Sequence, residues 1–419
     1  MDNKIKLSLQ NTKTYAVAFV CWLLLSVTTG ALCGLLGAGF SKCISYGVTL
    51  REEHSWLLYL LPVAGLLSVA IYKLCRVSDI GTNRVLQSVR GDQKVPFLLG
   101  PAIFAGTVIS HTFGASAGRE GAALQLGGSV SSIICKVLKL NEKTKHILTM
   151  CAMAAVFSAL FGTPLGAAIF SIEVASVGQF CSAAIFPCLI SSVSGYLAAS
   201  SLGIQGERFS ISENITLSYN NLWRVAVIAV AGAVVSIIFC KALHSAEHLA
   251  KKLLKNDFVR ILAGSCVIVA LTLILGTTDY NGGGVPVIEK IFSHGEVRYE
   301  AFALKILFTA ISIAAGFKGG EIIPTMFIGA TMGGSIATLL GMNPGLGAAV
   351  GIAALFCGVT NCPLGTLLLC IELFGSEGMI YFALSMVISF ILSGKASLYT
   401  KQHFIFSKIN DEIIDVDAE

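Results

Sequence analysis

The chain has 419 residues, of which 55% are hydrophobic and only 13% are charged. Soluble domains carry about 25% charged residues, so this composition excludes a soluble enzyme and a nucleic-acid-binding protein and indicates an integral membrane protein. The net charge of +5 comes from basic residues in short loops, where such residues report membrane topology rather than a partner.

The apolar segments predict an all-α, multi-pass membrane protein. The first, at about 15–47, follows a polar N-terminal segment at 1–14 and is too long for the core of a signal peptide. Several of the later segments are too long for one membrane span or too short to cross alone. They lie near 56–75, 96–117, 122–140, 146–175, 180–204, 222–247, 258–277, 301–317, 322–341, 345–375 and 378–398.

Two glycine-containing breaks, at 114–121 and 316–320, interrupt apolar segments. Backbone that leaves a helix inside a membrane is tolerated only where protein or an aqueous cavity satisfies its polar groups. Because transporters place such breaks at their binding sites, both breaks indicate a transport site.

Basic residues are concentrated in a few polar segments, whereas 206–221 and 280–300 are weakly charged or mixed. The positive-inside rule therefore predicts a cell-membrane protein with the basic segments and both termini in the cytoplasm. We expect the acidic tail at 402–419 to be short, disordered after Lys408 and without a regulatory domain. The basic segments are 3–13, 76–94, 136–145, 241–260 and 395–408.

An internal repeat divides the chain. Residues 157–173 read FSALFGTPLGAAIFSIE, and residues 356–372 read FCGVTNCPLGTLLLCIE. Two copies of one helical unit are typical of transporters built from paired halves, with the substrate between them. The repeat predicts a first half at 15–204, a connecting loop at 205–221 and a second half at 222–401.

Four carboxylates lie within the apolar segments: Glu120, Glu173, Glu321 and Glu372. An ionisable group at membrane depth costs about 2.5 kcal/mol or more, so it lines a pathway or has a buried partner. Glu173 and Glu372 stand near helix ends, where a structural role as caps is favoured. Glu120 lies inside the first break beside Arg119, and there a functional role is favoured.

Each break leads into the start of a helix. The first predicted helix starts at Gly121, next to Glu120, and the second starts near Glu321 to Pro324, since proline is favoured in a first helical turn. Free N–H groups at a helix N-terminus stabilise either a carboxylate or a small anion. The side chain and an anion could therefore compete for one site, and such a site is selective yet weak enough to release its ion.

Four motifs together resemble the CLC family of chloride channels and proton-coupled anion transporters, over almost the whole chain from about residue 15 to 401. GREGAALQLGGS at 118–129 is similar to the family's gating-glutamate motif, and GFKGGEIIPTMFIGA at 316–330 is similar to its second anion-binding motif. GTNRV at 81–85 occupies the place of the first anion-binding motif, and GKASLYT at 394–400 supplies the late tyrosine.

The resemblance implies an inverted repeat whose broken helices meet at the membrane midplane, in a homodimer with one anion pathway per subunit. It implies that Glu120 is both the gate and a proton acceptor, and that Thr82 and Tyr399 offer hydroxyl groups to the anion. The other implied anion-binding residues are Gly118, Arg119, Gly121, Ile322 and Ile323. Two alternatives remain open: Thr82 as a turn residue beside Asn83, and Tyr399 as a belt residue at the membrane interface.

Several residues depart from the family's pattern. Val174 stands where the chloride exchangers carry their inner proton-transferring glutamate, and Glu321 stands where chloride members have an apolar residue. Both changes resemble the fluoride-exporting branch, although that branch favours threonine at the place of Ile323 and methionine at the place of Thr82. The sequence therefore leaves chloride and fluoride open, and it favours Glu321 as a second proton-carrying residue over an ion pair with Lys318.

The favoured function is exchange of a halide for protons across the lipid bilayer, with a passive chloride channel as the alternative. An intramembrane hydrolase, with Ser116 or Ser158 as nucleophile and His111 as base, is a remote alternative. No cofactor, nucleotide or metal is expected, because the thirteen cysteines are dispersed among apolar residues and His244 and His248 lie on a basic helix face.

Overall fold

The computed structural model describes residues 2–77, 81–91, 93–211, 215–410 and 412–418, with the backbone alone for residues 2–14. These residues form sixteen α-helices and three short β-strands. The helices of the first half are α1 (Asp2–Glu53), α2 (Leu61–Leu74), α3 (Thr82–Arg90), α4 (Leu99–Phe113), α5 (Glu120–Val137), α6 (Glu142–Phe161), α7 (Pro164–Glu173) and α8 (Ile185–Ser201).

Among the residues described, the second half also contains eight helices, and like the first half it begins with its longest helix. The described connection between the halves, 202–211 and 215–218, is non-helical and lies where the sequence places the loop. The helices of the second half are α9 (Tyr219–Leu253), α10 (Asp257–Leu275), α11 (Val285–His294), α12 (Ala301–Ala315), α13 (Ile322–Leu339), α14 (Pro344–Thr360), α15 (Pro363–Phe374) and α16 (Met379–Leu392).

The helices have the length and composition of membrane spans, as the sequence predicts. Seven helical stretches in the described ranges are long and apolar enough to cross a bilayer. Shorter apolar helices, including α4, α7, α12 and α15, cannot cross alone. The fold therefore consists of full spans and of half-length helices that meet inside the protein.

One face of the molecule collects three of the basic segments. Lys73, at the end of α2, forms an ion pair of 3.6 Å with Asp257 at the start of α10. Asn83, at the start of α3, donates a hydrogen bond of 3.0 Å to Thr400. These contacts bring together the segments 76–94, 241–260 and 395–408, and we call this side the basic face.

The helices α4 and α5 form a re-entrant pair that enters from the basic face. The Ser132 hydroxyl near the end of α5 donates a hydrogen bond of 2.7 Å to the carbonyl of Val95, just before α4. The chain therefore enters along α4, turns at the first break and returns along α5 to the face from which it came.

The equivalent pair in the second half, α12 and α13, enters from the opposite face. Arg224, at the start of α9, donates to the carbonyl of Gly341 after α13 at 3.2 Å. The end of α9 lies at the basic face, and a helix of 35 residues is about 50 Å long, so Arg224 and Gly341 lie far from that face. The two re-entrant pairs therefore have opposite orientations, which makes the repeat an inverted one.

Two carboxylates connect the halves, because each of them caps the start of the helix that carries the other. Glu173, the last residue of α7, accepts hydrogen bonds from the N–H groups of Leu364 and Gly365 at the start of α15, the shorter at 2.7 Å. Glu372, near the end of α15, accepts from Leu165 and Gly166 at the start of α7, the shorter at 2.8 Å. The structure confirms that these carboxylates have a capping role, and it places the caps across the repeat rather than within it.

The acidic tail is folded, so the expectation of a disordered tail was wrong for the residues described. Strands β2 (His403–Phe406) and β3 (Ile413–Asp417) pair antiparallel, and β1 (Ser176–Val177) pairs parallel with β2.

Charge pairing explains why the acidic tail is ordered. Asp417 accepts a hydrogen bond of 2.9 Å from Lys401 and lies 3.6 Å from Arg90, while His403 contacts Asp415 at 2.8 Å. The hydrogen bond from Lys401 holds the pKa of Asp417 below its usual range, with His403 and Arg90 acting in the same direction.

Candidate functional site

The two glycine breaks cross in the middle of the protein. The N–H of Gly118 donates to the carbonyl of Gly320 at 2.5 Å, and the N–H of Gly320 donates to Gly118 at 2.6 Å. A Cβ atom on Gly320 would lie 2.2 Å from the nitrogen of Gly121, a distance that no side chain tolerates. Glycine therefore allows the two halves to approach backbone to backbone at this point.

Glu120 lies directly beside this crossing and is completely buried. Its Oε2 accepts hydrogen bonds from the N–H of Arg119 at 2.9 Å and of Ile323 at 3.4 Å. The sequence places the carboxylate against a helix start at Gly121, but α5 begins at Glu120 itself and the carboxylate contacts the N-terminus of α13. Residues from the two halves thus share one carboxylate at a helix N-terminus, which is also a favourable position for an anion.

The guanidinium group of Arg119 is divided between two carboxylates. Its Nε lies 3.4 Å from Oε1 of Glu120, and its terminal nitrogen donates to Glu207 at 2.8 Å. Sequence reasoning missed Glu207, because it stands in the loop between the halves and nothing local marks it. Arg119 is therefore a charged neighbour of Glu120 that is also held by a residue from a distant part of the chain.

Thr82 begins α3 and is tied to α5. Its hydroxyl accepts a hydrogen bond of 3.1 Å from Gln125 and donates to the carbonyl of Gly121 at 3.4 Å. Gln125 was also missed, although a glutamine one helical turn after Gly121 in an apolar segment was a usable signal. Thr82 thus starts a helix, as a turn residue would, and also contacts the backbone of the first break.

Tyr399 is 2% exposed, so it is not an interfacial belt residue. Its hydroxyl has no hydrogen-bond partner within the described ranges. Buried polar groups are nearly always paired, and an unpaired one points to a bound ion or water. Tyr399 and Thr82 line the same cavity, so the structure brings together the two hydroxyl-bearing residues that the family resemblance implies at the anion.

Glu321 occupies the N-cap position of α13, immediately before Ile322 and Ile323, but its side chain makes no capping hydrogen bond among the described residues. Its side chain packs against Gly121, since a Cβ added there would lie 3.4 Å from Oε2 of Glu321. The ion pair with Lys318 is not formed among the described residues, because the ammonium group of Lys318 lies 4.4 Å from the centre of the Tyr72 ring. Glu321 therefore lies free of that cation, next to the crossing.

A buried lysine supports the first break. Lys305 is completely buried and donates to the carbonyls of Tyr280 and Gly282 at 3.1 and 2.7 Å. Gly282 in turn donates from its N–H to the carbonyl of Ala115 at 3.1 Å. A lysine inside an apolar helix was a sequence signal that reasoning from carboxylates alone overlooked.

Two cavities approach the crossing from different faces. The first, of about 500 Å³, is lined by Thr82, Gln125, Glu321 and Tyr399 and reaches Asp257 on the basic face. It brings four polar residues of the candidate site to one space.

The second cavity, of about 550 Å³, is lined by Gly118, Arg119, Glu207 and Ile323 and reaches Arg51 at the end of α1. This end of α1 leads into the start of α2, whose 14 residues place it about 20 Å from the basic face. Glu120 lies between residues of the two cavities, where it can separate them.

Comparison with known proteins agrees with this geometry. The sequence profile described as voltage gated chloride channel matches residues 63–394. The chain belongs to the CLC family. A chloride/fluoride channel protein from Pseudomonas syringae pv. tomato is 32% identical over 398 residues, which cover 92% of this chain and 87% of the relative.

Other CLC proteins match at similar coverage. The crystal structure of a CLC-type fluoride/proton antiporter superposes with a TM-score of 0.89 at 28% identity, covering 92% of this chain and 98% of that one. The H(+)/Cl(-) exchange transporter ClcA of Vibrio vulnificus strain YJ016 is 24% identical over 381 residues, covering 84% of this chain and 81% of the relative. The chain is thus an all-α CLC membrane protein that transports anions.

CLC members are channels or transporters, so the hydrolase alternative was wrong. The geometry gives the reason: the Ser116 hydroxyl pairs with Thr309 at 3.1 Å, and Nδ1 of His111 contacts the carbonyl of Thr107 at 2.9 Å. Neither group is arranged as a nucleophile with its base.

Proposed function

We propose that the chain exchanges a halide ion for protons across the cell membrane, with Glu120 as the gate. The observation that carries this proposal is the position of the Glu120 carboxylate, which accepts a hydrogen bond from Ile323 at the N-terminus of α13. A halide needs the same N–H groups, so the carboxylate and the ion exclude each other.

Protonation of Glu120 provides the coupling step. A neutral carboxyl group is a weaker acceptor than a carboxylate, so it leaves the N–H groups of α13 when it takes up a proton. The anion then enters the vacated position, where the Tyr399 hydroxyl, Thr82 and the amides of Ile322 and Ile323 surround it. Gly118 and Gly121 let the backbone approach, and Arg119 contributes positive charge.

Glu321 serves as the second proton carrier. It lines the cavity of the basic face and stands next to the amides that hold the anion. Two unit charges 4 Å apart interact by about 4 kcal/mol at an effective dielectric constant of 20. An ionised Glu321 would therefore repel a resident halide, and it carries a proton whenever the anion is bound.

Fluoride is the favoured substrate. The 32% identical relative is described as a chloride/fluoride channel protein, and the structure with a TM-score of 0.89 is described as a fluoride/proton antiporter. Glu321 in the second motif and Val174 after Glu173 agree with this choice. Chloride is the competing substrate, and parallel flux measurements with both halides distinguish them.

The proposed assembly is a homodimer with both termini in the cytoplasm. The basic face would then be cytoplasmic, in accordance with the positive-inside rule. In a cysteine-free background, a single cysteine at Ala418 should be protected from an impermeant reagent in intact cells, while one at Thr278 should react. Cross-linking in membranes should give a dimer, and labelling of Ala418 from outside would contradict this orientation.

The test of the gate uses purified protein in liposomes, with halide efflux and proton uptake recorded together. We expect wild type to move both ions and Glu120→Gln to retain halide flux without proton movement. Glu142→Gln is the matched control, because Glu142 pairs with Lys145 at the surface and should leave both fluxes unchanged.

Two results would contradict the proposal in different ways. If Glu120→Gln folds and still moves protons against a gradient, Glu120 is not the coupling residue. If wild type conducts halide without proton movement, the chain is the passive channel that the sequence left open.

A further inference from the structure

We propose that Gln402 is a positioning residue that holds Tyr399 in place and thereby sets the halide preference. This inference rests on the proposed function, since it assumes that the Tyr399 hydroxyl donates to the transported halide. Gln402 is the first residue after the second half, and it is completely buried.

Both polar atoms of the Gln402 side chain have two partners. Its Nε2 donates to the carbonyls of Val174 at 3.0 Å and Thr360 at 2.6 Å. Its Oε1 accepts from Asn361 and Ser397, each at 2.8 Å. Because both neighbours of Nε2 are carbonyl groups, the amide has only one orientation in which every contact is a hydrogen bond.

The four bonds connect the two halves. Val174 follows α7 in the first half, and Thr360 ends α14 in the second, so one amide group fixes the end of α7 relative to the end of α14. Asn361 has a left-handed backbone conformation, with φ of +58°, at the turn between α14 and α15. Two of the four partners of Gln402, Val174 and Thr360, thus lie at helix ends.

Ser397 transmits this anchoring to Tyr399. Its hydroxyl donates to Gln402 and accepts a hydrogen bond of 3.1 Å from the N–H of Tyr399. The N–H of Gln402 also donates to the carbonyl of Tyr399 at 2.9 Å. The backbone on both sides of the tyrosine is therefore fixed, while its hydroxyl has no hydrogen-bond partner in the part of the chain that the structure describes.

The folded tail completes the support. The ammonium group of Lys408 donates to the side-chain oxygen of Asn361 at 2.5 Å and to the carbonyl of Phe390 at 2.8 Å. Lys408 thus holds Asn361, which in turn holds Gln402. The tail, which was expected from the sequence to be disordered after Lys408, is thus connected to the proposed anion site through a continuous series of hydrogen bonds.

The test measures the ratio of fluoride to chloride flux in liposomes. Tyr399→Phe removes the hydroxyl and should shift the ratio by about threefold to tenfold, the effect of one lost hydrogen bond. Ser397→Ala breaks the link from Gln402 and should shift the ratio in the same direction. The double variant should match Tyr399→Phe alone, because the position of an absent hydroxyl cannot affect the ion.

Gln402→Met, which keeps the side-chain length without its polar atoms, should shift the ratio as Ser397→Ala does, and if it does not fold, Ser397→Ala decides alone. Tyr381→Phe is the control for a merely structural effect. The Tyr381 hydroxyl lies away from the cavity, where it accepts a hydrogen bond from the N–H of Ser218 and donates one to the carbonyl of Thr216. This substitution should lower thermal stability without changing the ratio.

The outcomes separate this inference from the proposed function. If Tyr399→Phe leaves the ratio of fluoride to chloride flux unchanged, the Tyr399 hydroxyl does not donate to the transported halide, and that part of the proposed function is rejected. A shifted ratio in Tyr399→Phe with an unchanged ratio in Ser397→Ala rejects the role of Gln402 alone, as does a double variant whose shift is the product of the two single shifts.

Discussion

Gly118 and Gly320 form a two-residue antiparallel bridge that joins the two halves at the candidate site. The bridge fixes the start of α5 against the start of α13, so the Glu120 carboxylate of one half can reach the N–H of Ile323 in the other. The inverted repeat thus brings a carboxylate to a helix start on which it can be replaced by an ion.

Gly118→Ala tests whether this close crossing positions the gate. The added Cβ would lie 2.6 Å from Oε2 of Glu120, and overpacking of this kind costs about 1–3 kcal/mol. We expect Glu120 to be displaced, so that halide leaks and fewer protons move per halide. Gly39→Ala, in α1 with open space around its Cβ position, should leave the fluxes unchanged, and a fully coupled Gly118→Ala would contradict the packing argument.

Glu207→Gln tests the division of Arg119 between two carboxylates. Loss of the 2.8 Å ion pair leaves Arg119 free to pair with Glu120, which stabilises the closed gate. A partly exposed ion pair is worth about 0.2–1 kcal/mol, so we expect halide turnover to fall by up to about fivefold at unchanged coupling. Glu52→Gln removes the same charge from the same cavity and should have no such effect; equal slowing in both variants would show that only the cavity's charge matters.

Glu321→Gln separates proton transfer from structural support. We expect proton-coupled exchange to slow by about tenfold, or about 1.4 kcal/mol of barrier, while the melting temperature is retained. Glu247→Gln is the control, because Glu247 lines the same cavity but pairs with Lys251. Wild-type exchange together with a lowered melting point would reject a transport role for Glu321.

Glu173→Ala tests the capping role of this carboxylate. It leaves the N–H groups of Leu364 and Gly365 without their acceptor, and loss of a cap costs about 0.5–2 kcal/mol. We expect a lower melting temperature with proton coupling intact, and a similar result for Glu372→Ala. Loss of coupling at an unchanged melting temperature would instead make Glu173 part of the proton path.

Residues that belong to local patterns could be predicted from the sequence. The breaks around Glu120 and Glu321, the repeated Pro-Leu-Gly segments and the order of helices all follow from composition and spacing. Each break and each segment is recognised from neighbours a few residues away, and the repeat is found by comparing two such local patterns, so a single sequence is sufficient.

Residues that act through distant partners could not be predicted. Glu207 reaches Arg119 across 88 positions, and Gln402 reaches Val174 across 228. The tail reads as acidic and solvated, and only the fold reveals that Asp417 meets Lys401 and Arg90. Such contacts depend on how the two halves pack, which hydrophobic periodicity does not encode.

Proton movement driven by a halide gradient tests the central claim most directly. Liposomes containing the wild-type protein are loaded with fluoride and diluted into halide-free buffer, with the membrane potential clamped at zero and a small pH gradient that opposes proton entry. The account predicts that protons enter against this gradient as fluoride leaves, and that Glu120→Gln abolishes their entry. Fluoride efflux without proton entry in the wild type would contradict it.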